Sequence, residues 1–390
     1  MSKLPHICIL TTAHPLDDVR VSNKIAQTLK EEGFLVTWVG PEYAYFDHDN
    51  YDRYGLKYQL YPAGKSKIDR ILSGRRAFEA GLKVQDVDVY YAPEPDSAEV
   101  AVKLARKNGA KVIFDVHEVY HDVMLSRWLK GWMFTLLRPV ARKKIENICS
   151  RCDLVVGVSK AVLEPYSSAK VEQMIVRSCA PAWFAKDPPA DVCGPGRKVL
   201  TLMHGKSTMG RGTTTVLDAL SLAAKRVDGL RAIMFDVFIE KIESFGASQF
   251  RNMLEEKHLE NVVDFRKPVP MQEMPEILRS CDVGLISYNR ELGLESLPNK
   301  LFEYMATGLA ILAPSYSEEI VKIIEQEKCG LLVDFEDSQA IADAIVHLRN
   351  SPIECRQMGL RARDAFVQRH NWQAEVRPLI NKIHAWCANK

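Results

Sequence analysis

The most constraining feature of this 390-residue chain is an alternation of short apolar runs with amphipathic helical stretches, broken only once. Strand signals fall at His6–Thr12, Phe34–Val39, Val87–Tyr91, Lys111–Val116 and Asp153–Val158, with helical patterns at Asp17–Glu32 and Asp96–Asn108. Runs of β-branched residues between such helices specify a parallel sheet covered on both faces. The stretch Pro181–Lys198, with four prolines and two glycines, suits no core element and reads as a linker. Beyond it the alternation restarts, with strands at Lys198–Met203, Arg231–Val237, Val262–Phe265, Asp282–Ser287, Leu309–Ala313 and Gly330–Val333. Helices are predicted at Thr213–Lys225, Met271–Ser280 and Pro298–Thr307, and residues 338–389 read as almost wholly helical. The expectation is therefore an α/β chain of two doubly wound domains. Residues 1–182 form the first, joined by a returning C-terminal helix at about 372–390. Residues 183–197 link it to a second domain at 198–371. Two open α/β sheets predict a site in the cleft where their strand carboxyl ends meet.

Charge and cysteine usage narrow the function. The net charge is only +2, so the whole molecule is not a polyanion binder and no nucleic-acid partner is expected. Nine irregularly spaced cysteines read as reduced thiols in a cytoplasmic protein. Cys149 and Cys152 form a CxxC with no second ligand pair nearby, so no zinc site is predicted. The opening MSKLPHICIL reads as a first strand and not as a signal peptide. No stretch reaches the roughly 18 uninterrupted apolar residues of a membrane span. No metal site is expected: Asp47-His48-Asp49 lies in a remote connection and Asp86-Val87-Asp88 at the start of a strand.

The segment Glu295–Gly308, ESLPNKLFEYMATG, carries the most chemistry. Pro298 has the fixed φ that suits a first helical turn, and Gly308 is a natural stop. A short helix then starts at about Pro298, with free N–H groups and a positive dipole end that make an anion site fit for a diphosphate. Glu295 lies just before this helix and Glu303 more than one turn inside it. Spacing alone also allows a solvated helix face with Lys300 and Glu303 as an i,i+3 pair.

Here the sequence resembles the retaining glycosyltransferases of family four, which have the GT-B architecture of two Rossmann-like domains. Their hallmark is a pair of glutamates with seven residues between, the spacing of Glu295 and Glu303. The block from Pro298 to Met305 is similar to the variant in bacterial surface-polysaccharide enzymes. The resemblance implies that Glu295 contacts the donor sugar near the reacting carbon and that Glu303 holds the ribose hydroxyls. It implies that the backbone of Leu297, Pro298 and Asn299 touches the phosphates.

The loop Gly205–Gly212, GKSTMGRG, follows the first strand of the second domain. Its glycines let backbone approach a ligand, and Lys206 and Arg211 supply cations where a leaving diphosphate develops charge. In the family the matching loop ends in Lys-Gly and its two basic residues bind the diphosphate, so Lys206 and Arg211 are assigned that role. An ordinary strand–helix turn is the competing reading. Within Lys267-Pro268-Val269-Pro270, the resemblance implies a backbone contact from Val269 to the nucleobase.

In the first domain, Asp115-Val116-His117-Glu118 ends a strand, and family members often carry a similar block there. The resemblance places His117 near the donor sugar and Glu118 on the acceptor side. A structural hydrogen bond at a strand end would also explain His117. The opening loop Thr11–Arg20 adds His14, Asp18 and Arg20 as acceptor-side candidates, with Asp17 as a helix cap. It lacks the Gly-Gly pair that lets other members bind phosphate there.

Residues 127–144 surround Trp128, Trp132, Phe134 and Leu136 with six cations and no acid. This suits an anionic membrane surface at the inner face of the cytoplasmic membrane, or equally a core helix with solvated flanks, and Pro139 is expected to interrupt it. The reading is a retaining hexosyl-type glycosyltransferase in polysaccharide or glycoconjugate synthesis, with no cofactor beyond its nucleotide-sugar donor. Its acceptor would be a saccharide or lipid-linked saccharide. A nucleotide-sugar 2-epimerase of the same architecture and a non-catalytic sugar-nucleotide-binding subunit are the rivals. A dinucleotide dehydrogenase is disfavoured because no Gly-x-Gly-x-x-Gly follows either first strand.

Overall fold

The computed structural model describes residues 4–43, 55–64, 72–126, 131–188, 198–208, 211–235, 247–294 and 297–388. The chain divides into two compact units, Met1–Ser178 with Val376–Lys390, and Cys179–Glu375.

The first unit is built on a seven-stranded sheet, β3-β2-β1-β4-β5-β6-β7, parallel throughout. Its strands are β1 (His6–Leu10), β2 (Leu35–Glu42), β3 (Lys57–Pro62), β4 (Val89–Ala92), β5 (Lys111–Val116), β6 (Leu154–Gly157) and β7 (Glu172–Ile175). All five residues of β1 are buried, as expected for a central strand with helices on both faces. The edge strands β3 and β7 escape the sequence pattern because each is half-exposed and polar, KYQLYP and EQMI. The first helical stretch opens with a wide π-type winding over Val21–Ala26 and tightens only at Gln27–Glu31.

Helix α1 (Pro95–Asn108) follows β4. Helix α2 (Trp132–Cys149) precedes β6. Contrary to expectation, Pro139 does not break α2. The carbonyl that loses its partner belongs to Thr135, on an exposed turn open to solvent. Cys149 and Cys152 are unpaired buried thiols.

The second unit carries a six-stranded parallel sheet, β10-β9-β8-β11-β12-β13. Its strands are β8 (Leu200–Lys206), β9 (Leu230–Phe235), β10 (Val263–Arg266), β11 (Val283–Leu285), β12 (Ala310–Pro314) and β13 (Gly330–Val333). Helix α3 (Thr213–Ala224) follows β8, and α4 (Asn299–Thr307) precedes β12. Part of the expected linker is structured: Phe184 is fully buried in this unit's core, and Arg363 donates to the Ala185 carbonyl at 2.6 Å. Residues 189–197 lie outside the described residues.

The last helix, α5 (Trp372–Ala388), starts in the second unit and from Val376 onward belongs to the first. There Arg377 pairs with Glu32 at 2.6 Å, Lys382 with Glu172 at 2.6 Å, and His384 packs on Phe34.

Helix α4 approaches its sheet closely because β11 offers Gly284. The Tyr304 ring fills the space a side chain would need: a Cβ on Gly284 would stand 2.2 Å from it. We expect Gly284→Val to lower the stability of the second unit by roughly 1–3 kcal/mol through overpacking, read from its urea unfolding transition.

Candidate functional site

In the second unit the candidate donor site is assembled from the connections that follow β8 and β11. Strand β8 ends at Gly205 and Lys206, with Gly205 at φ +83° and Lys206 exposed. Gly212 caps α3 at φ +62°, and a Cβ there would meet the Ser287 carbonyl at 2.6 Å. Both geometric demands make any side chain at that turn strained. Arg211, just before it, donates from Nη1 to the Tyr288 hydroxyl at 3.1 Å and lies 5.2 Å from the centre of that ring.

Lys300, in the first turn of α4, reaches the same ring at 5.1 Å and donates from Nζ to the Leu285 carbonyl at 2.8 Å. Two basic side chains thus share one tyrosine ring. Burial, reinforced by the Arg211 charge and opposed by Glu303, brings the Lys300 pKa down to about 7. Such a lysine is poised to gain a proton when an anion arrives.

Pro298 is not the first helical residue but the extended cap residue before it, at ψ 142°. Among the described residues no side chain caps the helix, which leaves its amide end to an anion. Leu297 is half-buried against the core, Asn299 exposed and Glu303 half-buried one turn beyond Lys300. Val269 is half-buried with its side chain on the same core. Glu295 lies outside the described residues.

Behind this surface His204 is fully buried, with Nε2 3.0 Å from Ser287 Oγ. Burial, together with the charge of Lys300, holds its pKa down to about 3, so it is a neutral imidazole. His204 Nδ1 and Ser207 Oγ are buried without a partner among the described residues. His204, Tyr288 and the cationic role of Lys300 escaped the sequence reading. Lys300 was legible only as a helix-surface pair with Glu303.

The first unit gathers a second cluster. Asp115, at the end of β5, is fully buried and is gripped by Arg20 through Nε and Nη2, both at 2.9 Å. The Tyr91 hydroxyl donates to it, and His117 Nε2 lies 2.8 Å from its Oδ2. Burial alone would raise the Asp115 pKa; the charges of Arg20 and His117 overcome it and hold the carboxylate ionised far below its ordinary range.

Arg20 positions Asp115: it is 7% exposed, and its Nη1 donates to Ser178 Oγ at 2.9 Å. The capping carboxylate is Asp18, not Asp17, accepting from the amides of Arg20 at 2.8 Å and Val21 at 2.7 Å. Its second oxygen holds His14 Nδ1 at 3.1 Å. Burial works against protonation of His14, but the Asp18 bond and the charges of Glu94, Asp18 and Asp115 raise its pKa. The His14 and His117 rings meet edge to face at 5.3 Å. Glu118, next along the chain, is exposed.

Glu94 was missed altogether. It caps α1, and its carboxylate accepts from the backbone amides of Thr12 at 3.2 Å, Ala13 at 3.0 Å and His14 at 3.0 Å. The hydroxyls of Thr11 and Ser97 complete its shell at 2.5 and 2.7 Å. The amides of the opening loop are thus occupied by a carboxylate of the chain itself. Glu94-Pro95 was a readable helix start; its pairing some 80 residues away was not.

Two family profiles match the chain: Glycosyltransferase Family 4 over residues 19–173, and Glycosyl transferases group 1 over residues 195–365. A D-inositol 3-phosphate glycosyltransferase of Corynebacterium aurimucosum is 29% identical over 34% of this chain and 30% of its own length. The chain thus spans about a third of the first curated relatives it matches. A GDP-mannose-dependent alpha-(1-6)-phosphatidylinositol monomannoside mannosyltransferase of Mycolicibacterium smegmatis is 25% identical over 70% of both chains. The crystal structure of Anabaena Alr3699/HepE in complex with UDP shares the fold, with a TM-score of 0.74 at 12% identity over 98% of this chain and all of the other.

The lowered Lys300 pKa has a signed consequence. A lysine whose folded pKa lies below its unfolded value of 10.5 costs no stability above that value. The cost grows as pH falls and is complete below about 7. Lys300→Met should therefore be more stable than the parent at pH 7 by about 1–2 kcal/mol, with the gap closing toward pH 10, measured by urea unfolding across that range.

Proposed function

The chain belongs to the GT-B glycosyltransferases, and from that premise we propose that it moves a hexose from a nucleotide-sugar donor to a hydroxyl of a saccharide or lipid-linked saccharide. The configuration at the anomeric carbon is retained, and the setting is synthesis of a bacterial surface polysaccharide or glycoconjugate. The observation that carries this reading is the convergence of Arg211 and Lys300 on Tyr288 beside the uncapped start of α4. A diphosphate is the anion such a place suits, since its oxygens can take both the guanidinium and the helix amides.

In the reaction the bond between C1 and the β-phosphate oxygen loosens first, leaving an oxocarbenium-like sugar. Lys206, Arg211 and the amides of Leu297, Pro298's neighbour Asn299 and the following turn hold the charge that develops on the diphosphate. Proline itself supplies no N–H. Glu303 binds the ribose hydroxyls, Glu295 the donor sugar, and the Val269 backbone the base. His117, fixed by Asp115, hydrogen-bonds a sugar hydroxyl, with His14 and Glu118 toward the acceptor. The acceptor oxygen attacks C1 from the face the diphosphate leaves, and a phosphate oxygen takes its proton. Fixed cations do the work a metal would otherwise do, so no metal is assigned. The relatives' ligands, UDP in one and GDP-mannose in another, leave the base open between uracil and guanine.

Calorimetric titration with uridine and guanosine diphosphates tests the assignment. One of the two should bind, and Arg211→Ala should weaken it by about 10- to 100-fold, as for a charge-assisted hydrogen bond. Glu303→Ala should weaken the nucleotide but not inorganic pyrophosphate. Equal affinity for parent and Arg211→Ala would contradict the reading, and a donor rearranged without acceptor would favour the 2-epimerase.

A further inference from the structure

Helix α2 is anchored to the first unit by one face only, through buried Ile145, Ile148 and Cys149. Its outer face is apolar at the start: Trp132 is 74%, Leu136 62% and Val140 64% exposed, with Met133 and Leu137 beside them. These positions recur at the three-to-four spacing of a single helix stripe. Isolated exposed apolar residues are ordinary, but five on one stripe are not.

The same stripe continues into cations. Lys143, Lys144 and, after the helix, Arg151 line a groove of about 750 Å³ together with Val140 and Pro139. Lys143 and Lys144 are exposed. The one acid in the groove, Glu99, is within 3.4 Å of Lys103, so its charge is already answered. Lys143 also stands 3.4 Å from Glu146, and Arg151 donates to the Asn147 carbonyl at 3.0 Å. The helix's two arginines have partners of their own. Arg138 forms two bonds to Asp122, at 2.6 and 2.8 Å, and Arg142 donates to the Pro165 carbonyl at 2.8 Å. Residues 127–130, part of the basic aromatic segment in the sequence, lie outside the described residues. No helix among the described residues is long and apolar enough to cross a membrane.

We propose that the outer face of α2 is a docking surface for an anionic phospholipid bilayer. Trp132, Leu136 and Val140 enter the headgroup–acyl boundary, and the groove at Lys143, Lys144 and Arg151 receives lipid phosphates. The sequence of chemistry along the helix is what commits it to this occupant. An apolar stripe alone would fit a protein partner, and a basic groove alone would fit a soluble anion. Placed end to end on one surface helix, they match the two layers of an anionic membrane and its surface potential. The inference stands on the first unit alone and does not depend on the donor site.

The test is co-sedimentation of the full chain with vesicles of equimolar phosphatidylglycerol and phosphatidylcholine, and of phosphatidylcholine alone. Binding is expected to the first and to be far weaker on the second and in high salt. Lys143→Glu with Lys144→Glu should weaken partitioning by at least roughly five-fold per site, and Leu136→Asp with Val140→Asp should abolish it. All four positions are exposed, so an unchanged melting temperature separates lost docking from lost folding. Absence of vesicle binding, or binding that both variant pairs leave intact, would overturn the proposal. So would a dimer in sedimentation velocity that Leu136→Asp with Val140→Asp disperses, since a second copy would then cover the stripe.

Discussion

The donor-side arrangement depends on how close α4 can come to its sheet. Gly284 has no side chain, so the Tyr304 ring lies directly on β11 and its hydroxyl reaches the Met203 carbonyl at 3.3 Å. That contact fixes the helix's height and rotation. Lys300 and Glu303, four and one positions before Tyr304, then project where the loops after β8 and β11 deliver Arg211 and Tyr288. A helix seated a few ångströms further out would leave the two cations on separate surfaces, and its amide end without charged neighbours.

Both units store electrostatic cost near the residues assigned to function. In the second, burial and the nearby Arg211 charge together disfavour the protonated form of Lys300, bringing its pKa down to about 7. A dianion bound beside them, as proposed, would relieve that repulsion. In the first, Asp115 and Glu94 are buried carboxylates satisfied by many donors, and each orients a histidine or the backbone beside it. Removing water from a charge is tolerable there because every oxygen has a partner. The outcome is a rigid setting for His14 and His117.

Much of this was legible from the chain. Central strands announce themselves because burial on both faces demands uninterrupted apolar residues, as in β1 and β12. Gly308 and Pro298 marked the ends of α4 because backbone geometry, not context, decides where they fit. Strands β3 and β7 were invisible because edge strands bury only one face. The Arg20–Asp115 and Glu94–loop pairings join residues about 80 to 95 positions apart, and a charge in a sequence does not say whether its partner is water or another residue. The setting of Lys300 was hidden for the same reason: the spacing to Glu303 was visible, the burial was not.

A crystal structure with a bound nucleoside diphosphate tests the central claim most directly. The account predicts β-phosphate oxygens within hydrogen-bonding distance of Arg211 and of the first amides of α4, with Glu303 on the ribose. A nucleotide seated elsewhere, with Arg211 still resting on Tyr288 and the start of α4 facing only water, would contradict it.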